Sequence, residues 1–313
     1  MSMTWTGVMP AITTPFTPDG EVDHDFLASH ALWMVEAGCT GIVALGSLGE
    51  AATLSVPEKL DVLRTLATAL KGRVPLVAGI AALSTDEACG LAQAAAEVGC
   101  AGLMVLPPYV YSTDWREMRA HVASVMQATD LPCMLYNNPI AYRTDFKPEQ
   151  VEELAKAHAN LVAVKESSAD LRRIAAIRHR LGSRLAILVG VDDVIVEGIA
   201  AGATGWVAGL VNAMPVESVR LFDLALRLQS PDVSPAAQQQ VRAEIDALYS
   251  WFHALLTLDT VPKFVQLIKL VQQQVGHGHE RVRAPRLVLE GDEREQALAL
   301  IAAKLAARPR LTA

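Results

Sequence analysis

Eight short apolar runs rich in Val, Ile and Leu recur along the chain, at residues 8–12, 41–45, 74–78, 102–106, 131–136, 161–165, 185–189 and 204–208. Continuous apolar runs of this length predict strands covered on both faces, as in a parallel sheet. Between them lie segments with apolar residues near a 3.6-residue period, at 25–36, 57–70, 85–98, 114–128, 147–158 and 170–181. These predict amphipathic helices. Strand and helix alternate throughout, and eight such units in roughly 220 residues match the size of a TIM (β/α)8 barrel. A doubly wound open sheet is the alternative. No Gly-x-Gly-x-x-Gly turn follows the first run, which removes only its nucleotide-binding versions.

The alternation ends near Leu228. The polar stretch 229–236 reads as a turn or linker, and helical periodicity returns at 238–256, 261–275 and 292–306. The last of these opens with acidic residues, which suit the positive end of a helix dipole. The chain therefore divides into a barrel, residues 1–228, and a C-terminal helical extension, residues 229–313, packed on it as an oligomer contact or as a cover for one side.

With 51% hydrophobic residues over 313 positions, a full core can be buried. A net charge of -7 and a pI near 5.6, with no basic block, argue against a nucleic-acid partner and for a small molecule. Cys39, Cys89, Cys100 and Cys133 show no paired metal spacing and read as reduced core thiols of a cytoplasmic protein. The first residues lack a basic segment followed by an apolar one, and no apolar run is long enough to cross a bilayer. Neither secretion nor membrane insertion is expected.

In a parallel barrel all strand C-termini open onto one face, so polar residues just past the runs converge there even when far apart in sequence. Lys165 ends the sixth run. A partly desolvated amine in that place is a nucleophile for a carbonyl carbon. Tyr136 ends the fifth run, where a phenol can relay protons. After the second run comes Gly46-Ser47-Leu48-Gly49-Glu50, whose glycines let backbone N–H groups approach an anion while Ser47 adds a hydroxyl, as suits a carboxylate. Taken singly, each has a plainer reading: a solvated strand end, a core tyrosine at the rim, a tight turn. Together they supply what a class I aldolase or dehydratase needs. The amine forms an imine with a 2-oxo acid, the imine serves as electron sink, and the phenol moves protons, with no metal or other cofactor required. Asp192 and Asp193, after the seventh run, read as a structural feature, such as a cap of the next helix, or as an entrance feature. His277 and His279 read as a solvated loop, and Trp206 as packing.

On these residues the chain resembles the dihydrodipicolinate synthase/N-acetylneuraminate lyase family, over essentially its whole length from the Pro10 to Phe16 segment to Val282-Arg283-Ala284-Pro285. The family's Gly-[Thr/Ser]-x-Gly-Glu loop, Tyr-Asn-x-Pro motif and Lys-Glu strand end fall on Gly46 to Glu50, Tyr136 to Pro139, and Lys165-Glu166. The resemblance implies a barrel with a helical extension, assembled as a homotetramer or homodimer. It implies Lys165 as the imine-forming residue, Tyr136 as the catalytic phenol, and Gly46, Ser47, Leu48 and Gly49 as holders of the substrate carboxylate. Asn138 and Tyr142 on the fifth loop and Val207 on the eighth run are further substrate-binding candidates, with Arg143 beside them.

Dihydrodipicolinate synthases carry a second hydroxyl residue where this chain has Leu48. They place a tyrosine, lent to a neighbouring subunit, where it has Val110, with Tyr111 one residue on, and an arginine for aspartate semialdehyde where it has Ala141. These departures point away from that synthase. The leading expectation is retro-aldol cleavage or dehydration of a 4-hydroxy-2-oxo acid or 2-keto-3-deoxy sugar acid. The alternatives are dehydrating deamination of a hydroxypyrroline carboxylate, 4-hydroxy-tetrahydrodipicolinate synthesis, and a catalytically silent 2-oxo-acid-binding protein. A metal-dependent class II aldolase would need a His/Asp/Glu cluster at the strand ends, which the runs do not offer.

Overall fold

The computed structural model describes residues 3–108 and 113–310, so the expectations at Val110 and Tyr111 lie outside the described residues. Eight strands form: β1 (Gly7–Pro10), β2 (Ile42–Ala44), β3 (Leu76–Ile80), β4 (Gly102–Val105), β5 (Cys133–Asn137), β6 (Leu161–Glu166), β7 (Ala186–Val189) and β8 (Gly205–Ala208). They pair in parallel in the order β1-β8-β7-β6-β5-β4-β3-β2. A parallel bridge between Ala11 and Val43 joins the two ends, with the Ile12 N–H donating to the Val43 carbonyl at 3.0 Å. The sheet thus curls into a TIM barrel. The third strand starts two residues later than its apolar run because Pro75 has no N–H to give, and its carbonyl is taken by the Ile42 N–H at 2.9 Å.

The barrel helices are α1 (His24–Glu36), α2 (Val56–Leu70), α3 (Thr85–Val98), α4 (Trp115–Gln127), α5 (Pro139–Tyr142), α6 (Pro148–Ala157), α7 (Leu171–Leu181), α8 (Ile195–Ala200) and α9 (Pro215–Gln229). The C-terminal helices are α10 (Pro235–Leu256), α11 (Phe264–Gln274) and α12 (Gly291–Ala306). Local chemistry sets their ends. Ser55 and Glu58 form a reciprocal capping box at the start of α2, and its Val62, Leu63, Leu66 and Leu70 face the core. Gly99 closes α3 in the left-handed conformation at φ 96. Helix α11 is buried from Val265 through Gln272, on all its faces, because the barrel lies on one side and the C-terminal segments on the other. That makes its polar residues, Gln266, Lys269 and Gln272, structural problems that need partners.

One solution is the network around His30 of α1. Its Nε2 lies 3.2 Å from Asn212 Oδ1, and Asn212 also accepts from the Thr13 N–H at 3.1 Å and donates to the Ala11 carbonyl at 2.9 Å. The imidazole is fully buried, stacked between Phe26 and Trp33, and burial pushes its pKa down to about 3. The folded value lies below the free one, so between them the unfolded chain binds more protons and stability falls as pH drops below about 6.5. Urea unfolding is expected to show about 2 kcal/mol less stability from this residue at pH 5 than at pH 7. The variant His30→Gln is expected to remove that part of the pH dependence; an unchanged pH slope would show that His30 is not its source.

Candidate active site

The β5/β6 ladder brings the two strongest candidates together. Tyr136 and Lys165 are register partners, and partners in a parallel pair point to the same face. The Lys165 Nζ sits over the Tyr136 ring, 4.3 Å from its centroid, inside the barrel mouth. Both side chains are buried, and among the described residues the Lys165 amine has no ion-pair partner. Room for the lysine comes from Gly190, just past β7, where a methyl group would lie 2.6 Å from the Lys165 Cε.

The fifth loop supplies the next layer. Asn138 caps the short α5, its Oδ1 accepting from the Ala141 N–H at 3.0 Å, while its Nδ2 donates to the Tyr136 hydroxyl at 3.0 Å. That leaves the Tyr136 proton free to be given to something else. Tyr142 ends α5, meets Tyr136 edge-on at 5.7 Å, and shares a hydrogen bond with the Ser47 hydroxyl. Neither α5 nor this Ser47–Tyr142 contact follows from periodicity; the Asn138 cap and Pro139 at the first helical turn create both. Arg143 follows in the left-handed conformation at φ 62 with its side chain exposed, so of the three polar residues on that loop only Asn138 and Tyr142 join the mouth.

In the 46–50 loop the conformational burden falls elsewhere than expected. The left-handed residues are Leu45 (φ 61) and Glu50 (φ 53), on either side of the two glycines. Gly49 instead permits close packing, since a methyl there would lie 3.0 Å from the Ile12 carbonyl. Holding a leucine at positive φ costs free energy and is found where a backbone must present particular groups. Here those groups are the N–H of Ser47 and of buried Leu48, for which no acceptor exists among the described residues. Unpaired N–H groups beside a serine hydroxyl suit a carboxylate. Val207 is buried in β8, opposite Met9 of β1.

Sequence reasoning missed the outer supports. Asn137 donates from Nδ2 to Glu166 at 3.0 Å and accepts from the Phe146 N–H at 3.0 Å, and Glu166 accepts from the Ser168 N–H at 2.8 Å. Burial raises the Glu166 carboxyl pKa above its ordinary value. The helix-cap expectation for Asp192 is corrected. Its carboxylate accepts from Trp206 Nε1 at 2.9 Å and from the N–H groups of Gly209 and Leu210 at 3.1 and 2.7 Å, because the turn after β8 comes closer than the start of α8. Trp206 is fully buried, as packing predicts, and also holds Asp192. Asp259, in the turn between α10 and α11, reaches Gly209 from the C-terminal side. Among the described residues no cluster of three or more His, Cys, Asp or Glu side chains could hold a metal ion, and no helix is long and apolar enough to cross a membrane.

By its barrel and its family, the chain is a class I aldolase-type lyase. The chain belongs to the dihydrodipicolinate synthetase family, whose model matches residues 4–304. It is similar to the 4-hydroxy-tetrahydrodipicolinate synthase of Sorangium cellulosum, 37% identical over 213 residues that cover 68% of this chain and 71% of the relative. The synthase of Alkalilimnicola ehrlichii is 32% identical over 289 residues, 92% of this chain and 95% of its own. Among solved structures, dihydrodipicolinate synthase from Aquifex aeolicus superposes with a TM-score of 0.87 at 26% identity, covering 96% of this chain and 98% of that one.

Proposed function

We propose that the protein is a Schiff-base lyase that cleaves or dehydrates a 4-hydroxy-2-oxo acid or a 2-keto-3-deoxy sugar acid. The observation that carries this is the Lys165 amine 4.3 Å from the Tyr136 ring centroid beside the free N–H groups of Ser47 and Leu48. The substrate carboxylate sits on those N–H groups and the Ser47 hydroxyl. Lys165 attacks the C2 carbonyl, the oxygen leaves as water, and the iminium draws electrons from the C3–H bond to give an enamine. Tyr136, held by Asn138, moves protons at C2 oxygen and C3, and the Ser47–Tyr142 pair extends that path within one chain. Gly46 and Gly49 shape the cradle, Val207 lines the inner wall, and the reaction needs no cofactor beyond the lysine.

Intact mass after pyruvate and sodium borohydride tests this: a reduced pyruvyl adduct is expected, and a chain that stays unmodified would sink the reading. Tyr136→Phe is expected to lower turnover by about 10²- to 10³-fold while still accumulating adduct, more slowly. An unaltered turnover would remove the phenol from the mechanism.

A second reading, 4-hydroxy-tetrahydrodipicolinate synthesis, is favoured by the names of the relatives. Buried Leu48 and exposed Ala141 weigh against it, since neither offers a polar contact to aspartate semialdehyde. Incubation with pyruvate and aspartate semialdehyde separates the two readings. We read the protein as cytoplasmic, supported by four free cysteines, three of them buried with thiol pKa values raised to about 12 by burial. A homotetramer or homodimer is the assembly proposed from the family. The division into 1–228 and 229–313 is supported by the gap between the end of α9 at Gln229 and the start of α10 at Pro235.

A further inference from the structure

We infer that Asp259, carried into the barrel mouth by the C-terminal extension, donates the proton that the C4 oxygen takes with it when it leaves, so that this site eliminates water instead of cleaving the C3–C4 bond. The inference rests on the imine reading above and selects between its two outcomes.

Gly190 and Gly209 are the residues just past the neighbouring strands β7 and β8. The Lys165 side chain lies on the first: a methyl there would be 2.6 Å from its Cε. The Asp259 carboxyl lies on the second: a methyl there would be 2.0 Å from its Oδ1. Two adjacent strand ends that lack side chains thus receive an amine from β6 and a carboxyl from outside the barrel. Lys165 and Asp259 are close enough to act on each other electrostatically, yet they form no ion pair.

A second acid decides which form Asp259 takes. Asp192 lies against the same Gly209, but its two oxygens accept from Trp206, Gly209 and Leu210, three donors that favour the carboxylate. Asp259 accepts no hydrogen bond from any described residue. Two carboxyls sharing one small space hold a proton between them, and it resides on the one without donors. Burial and then the Asp192 charge raise the Asp259 pKa well above the carboxylate range, with Lys165 opposing, while burial brings Asp192 only to about 6. Asp259 is half-buried, and desolvation is the largest cause of its shift.

A protonated acid fits one chemistry. Retro-aldol cleavage needs a base to take the proton from the C4 hydroxyl, which a protonated carboxyl cannot do. Elimination needs an acid. In the enamine, the nitrogen lone pair returns to the C2–N bond, the C2–C3 π pair moves to C3–C4, the C4–O bond breaks, and its electron pair takes the Asp259 proton. Water leaves, a conjugated iminium remains, and hydrolysis returns the lysine and an unsaturated 2-oxo acid. The proton lost from C3 balances the one delivered to oxygen.

The test compares wild type with Asp259→Asn, which keeps shape and removes the proton. One sample of each is trapped with pyruvate and borohydride, and a separate, untreated sample is given 4-hydroxy-2-oxoglutarate and 4-hydroxy-2-oxobutanoate with products followed by proton NMR. Wild type is expected to release the unsaturated 2-oxo acid from at least one. Asp259→Asn is expected to trap pyruvate as well as wild type while water loss falls by about 100-fold or more. Pyruvate with glyoxylate or formaldehyde as the wild-type products would overturn the inference, as would a wild type that traps pyruvate in one sample yet dehydrates neither compound in the other. Undiminished elimination by Asp259→Asn, or loss of its trapping, would do the same. Even if the variant fails to fold, cleavage products from wild type would still overturn the inference. Absence of any wild-type adduct would instead sink the imine reading itself.

Discussion

Lys165→Ala is expected to form no borohydride-stable adduct with pyruvate and to lose turnover by about 10⁴-fold or more, the loss typical of removing a covalent nucleophile. Among the described residues, neither of the other two buried lysines is placed to take over. Lys269 is buried too, but its Nζ is committed to Glu50 and to the carbonyls of Thr14 and Arg281. Lys59 is buried in α2, outside the sheet. Lys165→Arg separates nucleophilicity from charge, since it keeps a cation near Asp192 and Asp259 but cannot form an imine with a carbonyl. Both variants are expected to fail alike in trapping, with Arg closer to wild type in thermal stability because the single negative charge of the Asp192–Asp259 pair keeps its counter-charge. An adduct persisting in Lys165→Ala, mapped by peptide mass to another lysine, would overturn the assignment.

The parts that were legible in the sequence share a physical reason. Strands of a parallel barrel are covered on both faces, so each of the eight is a continuous apolar run, and its end marks the rim. Lys165 and Tyr136 interrupt such runs with polar groups, which made them conspicuous and placed them on one face before any register was known. What stayed hidden depends on contacts between remote segments. Asp259 lies in a turn of unremarkable composition, and only packing of α10 and α11 against the β8 end shows that it meets Gly209. Asp192 looked like a helix cap because a local partner was the nearest in sequence, whereas the nearest in space are the Gly209 and Leu210 N–H groups. The positive φ of Leu45 and Glu50 is likewise invisible to propensity, which assigns that conformation to the glycines between them.

Glu50 also leads to the largest expected change in stability. It ends the cradle loop, is almost wholly buried, and forms an ion pair with Lys269, whose side chain is equally enclosed in α11. The amine donates further to the Thr14 and Arg281 carbonyls at 2.7 and 2.8 Å, and the second Glu50 oxygen accepts from the Arg283 N–H at 3.0 Å. Burial lowers the Lys269 pKa to about 8 against the attraction of Glu50, so desolvation outweighs the pairing. A pair of this kind adds little over an apolar replacement, but losing one member strands a charge. Lys269→Met is therefore expected to cost about 3–5 kcal/mol in urea unfolding. Lys269→Met combined with Glu50→Gln is expected to recover much of that, because no bare carboxylate remains. The same variants report on function. Glu50 joins the cradle loop to α11 and to the chain at Arg283, so the single variant is expected to weaken pyruvate trapping by letting the Ser47 and Leu48 N–H groups drift, at temperatures where the barrel is still folded. If Lys269→Met unfolds and traps pyruvate as wild type does, the pair neither stabilises the fold nor holds the cradle.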